Sequence, residues 1–361
     1  MRPQGLGDIK RALLVLTEGG LGDLLFGAPL AEVLCKNYPG CTVTCWVSPA
    51  HKPILYGNPY VHDYLDMPDG LKLRERSEVI RKGRFDLAVI LWTCSRQTWP
   101  VYFSGIPRRV GRADKLLYSW TFTHPVKMRC YSGDTFSHWV DCQFDHARVL
   151  GCDVSGARPR IWISDEETAS ARRLLAQHGA RILDRLCLMQ IGRGISGMDL
   201  AKWPIEKFVA IGNKLVRELG VKLLLTGLPS EAEVVAEVEA RVPGSVSIAG
   251  KTDLRMLCAV IAEADVVVSP DSGPGHIAAA LGVPVVSIFA PKKSFPYRWR
   301  PYGDIHEVVI ADKSLCRRKY KHCFPDRCER FVCLLGINEF DVADAAYGIL
   351  RACPKEQPRA R

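Results

Sequence analysis

Apolar residues along this chain fall into short continuous runs, separated by stretches in which they return every three or four positions. The first run, ALLVL (12–16), leads through EGGLGDLLFGAP into helical spacing that lasts to about Tyr38; CTVTCWV (41–47) and FDLAVILW (85–92) are the next two. Runs of this length, bounded by glycine and polar residues, read as buried strands, and their alternation with helices marks a parallel sheet. A second alternating series begins at RLCLMQI (185–191). It continues with a helix from about Pro204 to Leu219, VKLLLTG (221–227), a helix from about Ser230, VSIAG, and a helix from about Leu254 to Glu263. ADVVVS (264–269), a helix from about Pro274, and VPVVSIFA (283–290) complete it.

Between the two series the pattern loosens. SGIPRRVGRADK (104–115) reads as a polar, basic loop, and HWVDCQFDHARVLG (138–151) as one helix ended by Gly151. Farther on, Ser164 and Glu167 have capping-box spacing at the start of another helix. The expected organisation is α/β. Residues 1–160 form a first Rossmann-like, doubly wound domain, 161–183 a linker region, and 184–335 a second such domain. Residues 336–361 hold a C-terminal helix (about 338–352), expected to return to the first domain, and a tail. Two such domains facing a central cleft would place ligands at the carboxyl ends of their strands.

Composition narrows the class. The chain has 361 residues, 47% hydrophobic and 24% charged, enough for two ordinary cores. No apolar run approaches the roughly 18 residues of a membrane span, and ALLVL is too short for a signal-peptide core. The expected location is the cytoplasm, so most of the fourteen cysteines should be reduced thiols. A formal net charge of +10 favours an anionic partner. Nucleic acid is not the expected one, since RNP-type, C2H2 and basic-zipper signatures are all missing.

Several glycine-rich stretches then compete for the chemistry. In EGGLGDLLFGAP the dinucleotide pattern G-x-G-x-x-G fails, because Leu25 stands where the third glycine belongs and the next strand closes on Ser48 and Pro49 rather than an acid. The loop is either a strand-to-helix turn with Asp23 as a cap, or a site with Asp23 as a general base. AGKTD (249–253) resembles the end of a P-loop, but Ser245 occupies the required glycine position. The sharpest signal is VVVSPDSGPGHIAAALG (266–282), a buried strand running into a glycine-opened helix N-terminus suited to a phosphate. Lys202, before Trp203 and Pro204, could neutralise a diphosphate leaving group.

GGLGDLLFGAP, GIPRRVG, AKWP, AGKTDL, SPDSGPGHIAAALGVPVV and RWRPYG occur in the order and spacing of glycosyltransferase family 9, the heptosyltransferases, which the chain resembles over about residues 12–350. The resemblance implies a GT-B fold, an ADP-heptose donor and inverting transfer to a lipopolysaccharide-core or related acceptor. Some relatives modify autotransporter proteins instead, and a GT-B enzyme using another nucleotide sugar is a further alternative. Residue by residue, it puts the general base on Asp23, a donor-phosphate contact on Lys202 and a D-[ST]-G-x-x-H segment on Asp271, Ser272, Gly273 and His276. The ribose-holding acid matches Glu231, and Thr252 lies where the family contacts the base. The serine or threonine usual before the lysine has no clear match.

Inverting transfer needs a carboxylate to take the acceptor's proton and positive charge or amide dipoles for the departing ADP. No D-x-D triplet occurs, so the reaction is expected to need no metal. Arg96, Arg108, Arg109 and Arg112, with Lys115, are either acceptor-binding, for an anionic glycolipid or protein acceptor, or a solvated face. Peripheral contact with the inner face of the inner membrane fits that expectation. Near the end, Cys316, Cys323, Cys328 and Cys333 follow C-x6-C-x4-C-x4-C, which lacks a close C-x2-C knuckle; a structural zinc or iron is one reading and free thiols the other.

Overall fold

The computed structural model describes residues 8–180, 184–192, 203–289, 297–310, 312 and 335–352. They divide into two compact units at Trp162 and Ile163.

In the first unit, β1 (Arg11–Leu16) is followed by α1 (Leu21–Gly27), α2 (Pro29–Asn37), β2 (Thr42–Val47) and the short β3 (Asp63–Tyr64). Then come α3 (Leu73–Lys82), β4 (Leu87–Ile90), α4 (Ser95–Phe103), β5 (Arg108–Arg112), α5 (Leu116–Ser119) and β6 (His124–Val126). Two further helices, α6 (Trp139–Gln143) and α7 (Asp145–Arg148), close the unit. All strands are parallel, in the order β3-β2-β1-β4-β5-β6. Since β1 to β2 steps one way and β4 to β5 to β6 the other, right-handed crossovers put α1 and α2 on one face, and α3, α4 and α5 on the opposite one. Helices on both faces explain why β1 is buried from Ala12 through Leu16 and reads as an unbroken apolar run.

The segment expected to be a loop at 104–115 contains β5. RRVGR is charged at three of its five positions and hides its strand character, yet it is paired on both sides, by β4 and β6. The single helix expected at 138–151 is two short ones that meet at Phe144. There the Asp145 carboxylate accepts from Arg129 N at 2.9 Å and pairs with the Arg129 and Arg148 guanidinium groups, a long-range tie that periodicity does not record.

The second unit opens with α8 (Asp165–Gln177), so the expected linker is largely a helix of this unit. Ser164 and Glu167 form the capping box their spacing implied. Ion pairs Arg172–Glu263 and Arg255–Glu167 tie α8 to α11 (Leu254–Glu263). The remaining elements are β7 (Leu186–Gln190), α9 (Ile205–Leu219), β8 (Lys222–Thr226), α10 (Ala232–Arg241), β9 (Val246–Ser247), β10 (Val266–Pro270), α12 (Gly273–Ala280), β11 (Val285–Phe289) and β12 (Glu307–Ile310). The strand order, β12-β11-β10-β7-β8-β9, repeats that of the first sheet with β7 in the place of β1. One expectation is corrected here. The final helix, Glu339–Ala352, was expected to return to the first domain, but Val342, Ala343, Ala346 and Leu350 complete the apolar core of the second unit beside Phe208, Ile211 and Leu215 of α9. Burying that stripe against its own sheet holds the helix there.

Candidate active site

In a doubly wound sheet the strand order reverses at one point, and the loops leaving the carboxyl ends of the two strands there diverge to leave a crevice. In the first unit those strands are β1 and β4. The loop after β1 runs Thr17-Glu18-Gly19-Gly20 into α1, and Asp23 is the third residue of that helix. Its Oδ2 accepts the Gly20 N–H at 2.9 Å, which fixes the carboxylate on the loop. Gly19 has φ +89°, and a Cβ there would lie 2.6 Å from Asp23 Oδ2. Glycine is therefore required twice, for its backbone conformation and for the space the carboxylate fills.

A residue that the sequence did not single out crosses this reversal point. Gln97, fully buried on α4, donates from Nε2 to the Thr17 hydroxyl and, at 2.9 Å, to Glu18 Oε1, and its Oε1 lies 2.8 Å from the Cys94 thiol. It ties the β1 loop to the β4 loop. Its signal is a polar side chain on the inner face of a helix just beyond a buried strand, visible only once strand order is known.

The four arginines are not one cluster. Alternation along β5 sends Arg109 to the α4 face, where Nε donates to Thr121 O at 2.7 Å and the guanidinium lies 5.3 Å from the Tyr102 ring centroid. Burial lowers its pKa from the ordinary arginine value. Arg112 points to the other face, over the Tyr131 ring at 4.2 Å, and grips Asp114 through two bonds of 2.9 and 2.6 Å. That grip holds the Asp114 carboxyl below its usual range. Arg96 is exposed in the first turn of α4, and Arg108 is half-buried.

The second sheet reverses between β7 and β10. After β10 the chain passes through Asp271 and Ser272, the N-cap of α12, whose first turn carries Pro274 and no acidic side chain. Ser272 Oγ meets the buried Ser269 Oγ at 2.9 Å, and Asp271 Oδ1 lies 3.7 Å from His276 Nε2, both residues being buried. The helix opening thus combines backbone amides with an imidazole, the chemistry of an anion cradle. The pKa of His306 is lowered mainly by burial, and the proximity of His276 lowers it further.

Glu231 follows β8 and is buried; its Oε2 accepts from Leu228 N at 2.7 Å. A Cβ at Gly192 or Gly227 would approach its carboxylate within 3.1 Å, so the glycines after β7 and β8 make room for it. Gly250 N donates to Gly227 O at 3.2 Å, which brings the turn holding Thr252 against the Glu231 turn. The turns holding Glu231, Thr252 and Asp271–His276 thus follow the carboxyl ends of strands in one sheet. Lys202 and the four cysteines 316, 323, 328 and 333 lie outside the described residues. Trp203, next to Lys202, is anchored in the core edge-on to Phe208 at 5.0 Å. Among the described residues, no cluster of His, Cys, Asp or Glu could hold a metal ion.

Comparison with known proteins decides the family. The glycosyltransferase family 9 (heptosyltransferase) profile matches residues 75–325. The lipopolysaccharide core heptosyltransferase OpsX of Haemophilus influenzae is 36% identical over 323 residues, 87% of this chain and 88% of that one. The chain belongs to glycosyltransferase family 9. It is a glycosyltransferase. Its fold is similar to the family 9 glycosyltransferase of Veillonella parvula, at 24% identity, TM-score 0.83, and coverage of 96% of this chain and 98% of that one. It is also similar to ADP-heptose lipopolysaccharide heptosyltransferase II of E. coli, at 19% identity, TM-score 0.73, and coverage of 95% and 99%. No described helix of this glycosyltransferase is long and apolar enough to cross a membrane.

Proposed function

We propose that this family 9 enzyme moves a heptose from ADP-heptose to an anionic acceptor of the lipopolysaccharide core, with inversion and without a metal. The observation that carries the reading is the Asp23 carboxylate held by the Gly20 amide at the carboxyl end of β1, beside the reversal point of its sheet. The reaction is a single displacement. The acceptor hydroxyl oxygen bonds to the anomeric carbon as that carbon's bond to the diphosphate oxygen breaks; the hydroxyl proton passes to Asp23, and ADP leaves. A carboxylate whose orientation is already fixed suits the proton transfer.

The second unit is assigned the donor. Amides at the start of α12, with Ser272, Gly273 and His276, would stabilise the charge growing on the diphosphate, Asp271 would orient His276, and Lys202 would add a cation. Glu231 is assigned to the ribose and Thr252 to the base, in adjoining turns. Arg96 and the half-buried Arg108 are assigned to acceptor anions, while Arg112, buried and neutralised by Asp114, is not. Arg109, taken up by main-chain carbonyls and Tyr102, supports β5 instead. A cytoplasmic enzyme reaching its acceptor at the inner face of the inner membrane is part of this reading, and so is a structural metal at the four cysteines.

The test is to incubate purified enzyme with ADP-heptose, ADP-glucose and UDP-glucose, each with a heptose-deficient core oligosaccharide, and to assign the new linkage by NMR. Transfer from ADP-heptose alone, with inverted anomeric configuration and undiminished in EDTA, is expected. Transfer from a UDP-sugar, retained configuration or loss in EDTA would contradict the reading; transfer only to a protein would reassign the acceptor.

A further inference from the structure

Apart from the two loops, the first unit carries a ridge that no role above uses. It is built by α4 and α5, which successive right-handed crossovers place on one face of the sheet. Trp99 is its hub. Its ring lies 5.7 Å from Tyr118, 5.8 Å from Trp120 and 6.1 Å from Phe103, onto which it stacks, while Tyr102 meets Trp120 at 5.4 Å. In an ordinary core such a cluster would be covered. Here Leu116 is 84% exposed, Leu117 65%, Trp120 61% and Phe103 50%. Trp120 Nε1 donates to Leu117 O at 3.0 Å, so the polar edge of the indole is satisfied and its apolar body is left outward. Contiguous exposure of this kind marks a binding surface.

The surrounding charge says what it binds. Residues 95–131 contain seven Lys and Arg against one acid, Asp114; Arg112 pairs with that acid and Arg129 with Asp145, which leaves Arg96, Arg108, Arg109, Lys115 and Lys127. Lys115 is exposed at the start of α5, and Arg96 shares the helical face of Trp99 and Phe103 by i, i+3, i+7 spacing. Aromatic and aliphatic side chains rimmed by cations match the boundary between headgroups and acyl chains of an anionic bilayer. A second copy of the chain fits worse, because a two-fold contact would set this basic rim against itself.

We propose that the α4–α5 ridge seats the enzyme on an anionic phospholipid surface, with Leu116, Leu117 and Trp120 entering the bilayer boundary and Lys115 meeting lipid phosphates. The seating draws on the proposed function only for its purpose, an acceptor held in a membrane. Lipid binding itself needs neither donor nor acceptor.

The experiment is cosedimentation of the full chain with vesicles of phosphatidylethanolamine and phosphatidylglycerol, and separately with phosphatidylcholine alone, in the absence of any sugar substrate. Wild type should bind the anionic vesicles and release them at high salt. Leu116→Ser/Leu117→Ser/Trp120→Ser should weaken that binding at least about tenfold, Lys115→Glu several-fold, and Phe340→Ser, an exposed apolar residue of the second unit, not at all. Wild-type circular dichroism and a cooperative thermal unfolding transition report that each variant is folded, and the triple variant should keep wild-type transfer to a water-soluble acceptor. Equal binding to both vesicle types, vesicle binding undiminished in the folded variants, or a wild-type dimer that the triple substitution converts to monomer would overturn the proposal. Failure of ADP-heptose transfer with lipid binding intact would instead fault the assigned reaction.

Discussion

The two sheets share one strand order, yet the loops at their reversal points carry opposite devices. After β1, an acidic side chain in the first turn of α1 is folded back onto a glycine amide, so the amide already has its anion. After β10, the first turn of α12 carries no acid and opens on glycine and proline behind the N-cap Ser272. A helix N-terminus attracts negative charge in either case; what differs is whether the protein supplies it. The first arrangement suits a proton acceptor and the second a diphosphate, so the proposed division of labour rests on a few loop residues rather than on the topology.

That contrast can be broken from either side. Asp23→Asn, which keeps the shape and loses the base, should cut transfer about a thousandfold, read as kcat with saturating donor and acceptor. Loss of less than about tenfold would remove Asp23 as the base. Gly19→Ala should cost about 1–3 kcal/mol in unfolding free energy from its positive φ, and by pushing the carboxylate aside it should lower transfer about a hundredfold. Urea titration with a rate assay separates the two effects.

On the other side, Glu231→Gln should weaken ADP binding about tenfold by calorimetry. Wild type should prefer ADP to 2′-deoxy-ADP, and the variant should not. The smallest effect is expected in the scaffold. Arg255→Ala removes the hydrogen bond and ion pair that hold the Glu167 carboxyl below its ordinary pKa. A depressed carboxyl pKa stabilises the fold above the unfolded value and ceases to do so as pH falls through the folded one. The variant should thus be about 1 kcal/mol less stable near neutrality, and the gap should close in acid.

Much of the fold was legible because both sheets are covered on two faces, so β1, β4, β7, β8, β10 and β11 appear as apolar runs of strand length. The strands that the pattern missed have other reasons to exist. β5 is an arginine-rich strand stabilised by neighbours on both sides, while β3 and β6 are too short to show a period. The final helix shows its apolar stripe in the sequence, but a stripe does not name the sheet that will receive it. In the candidate site, the loops after β1 and β10 were readable from their glycines and acids, which singled out Asp23 and the Asp271–Gly273 turn, whereas Glu231 and His276 came only from the resemblance to the family. Gln97 was not, because it matters through Thr17 and Glu18, about eighty residues away. The arginines at 108–112 looked like one basic cluster until their strand alternated them onto opposite faces.

The central claim is that the first loop handles the proton and the second holds the nucleotide. Titration calorimetry of ADP into wild type, Asp23→Asn and Gly273→Val tests it most directly. ADP affinity should be unchanged in Asp23→Asn and fall at least about tenfold in Gly273→Val, where a branched side chain crowds the opening of α12. Equal loss in both variants, or unchanged affinity in Gly273→Val, would contradict it.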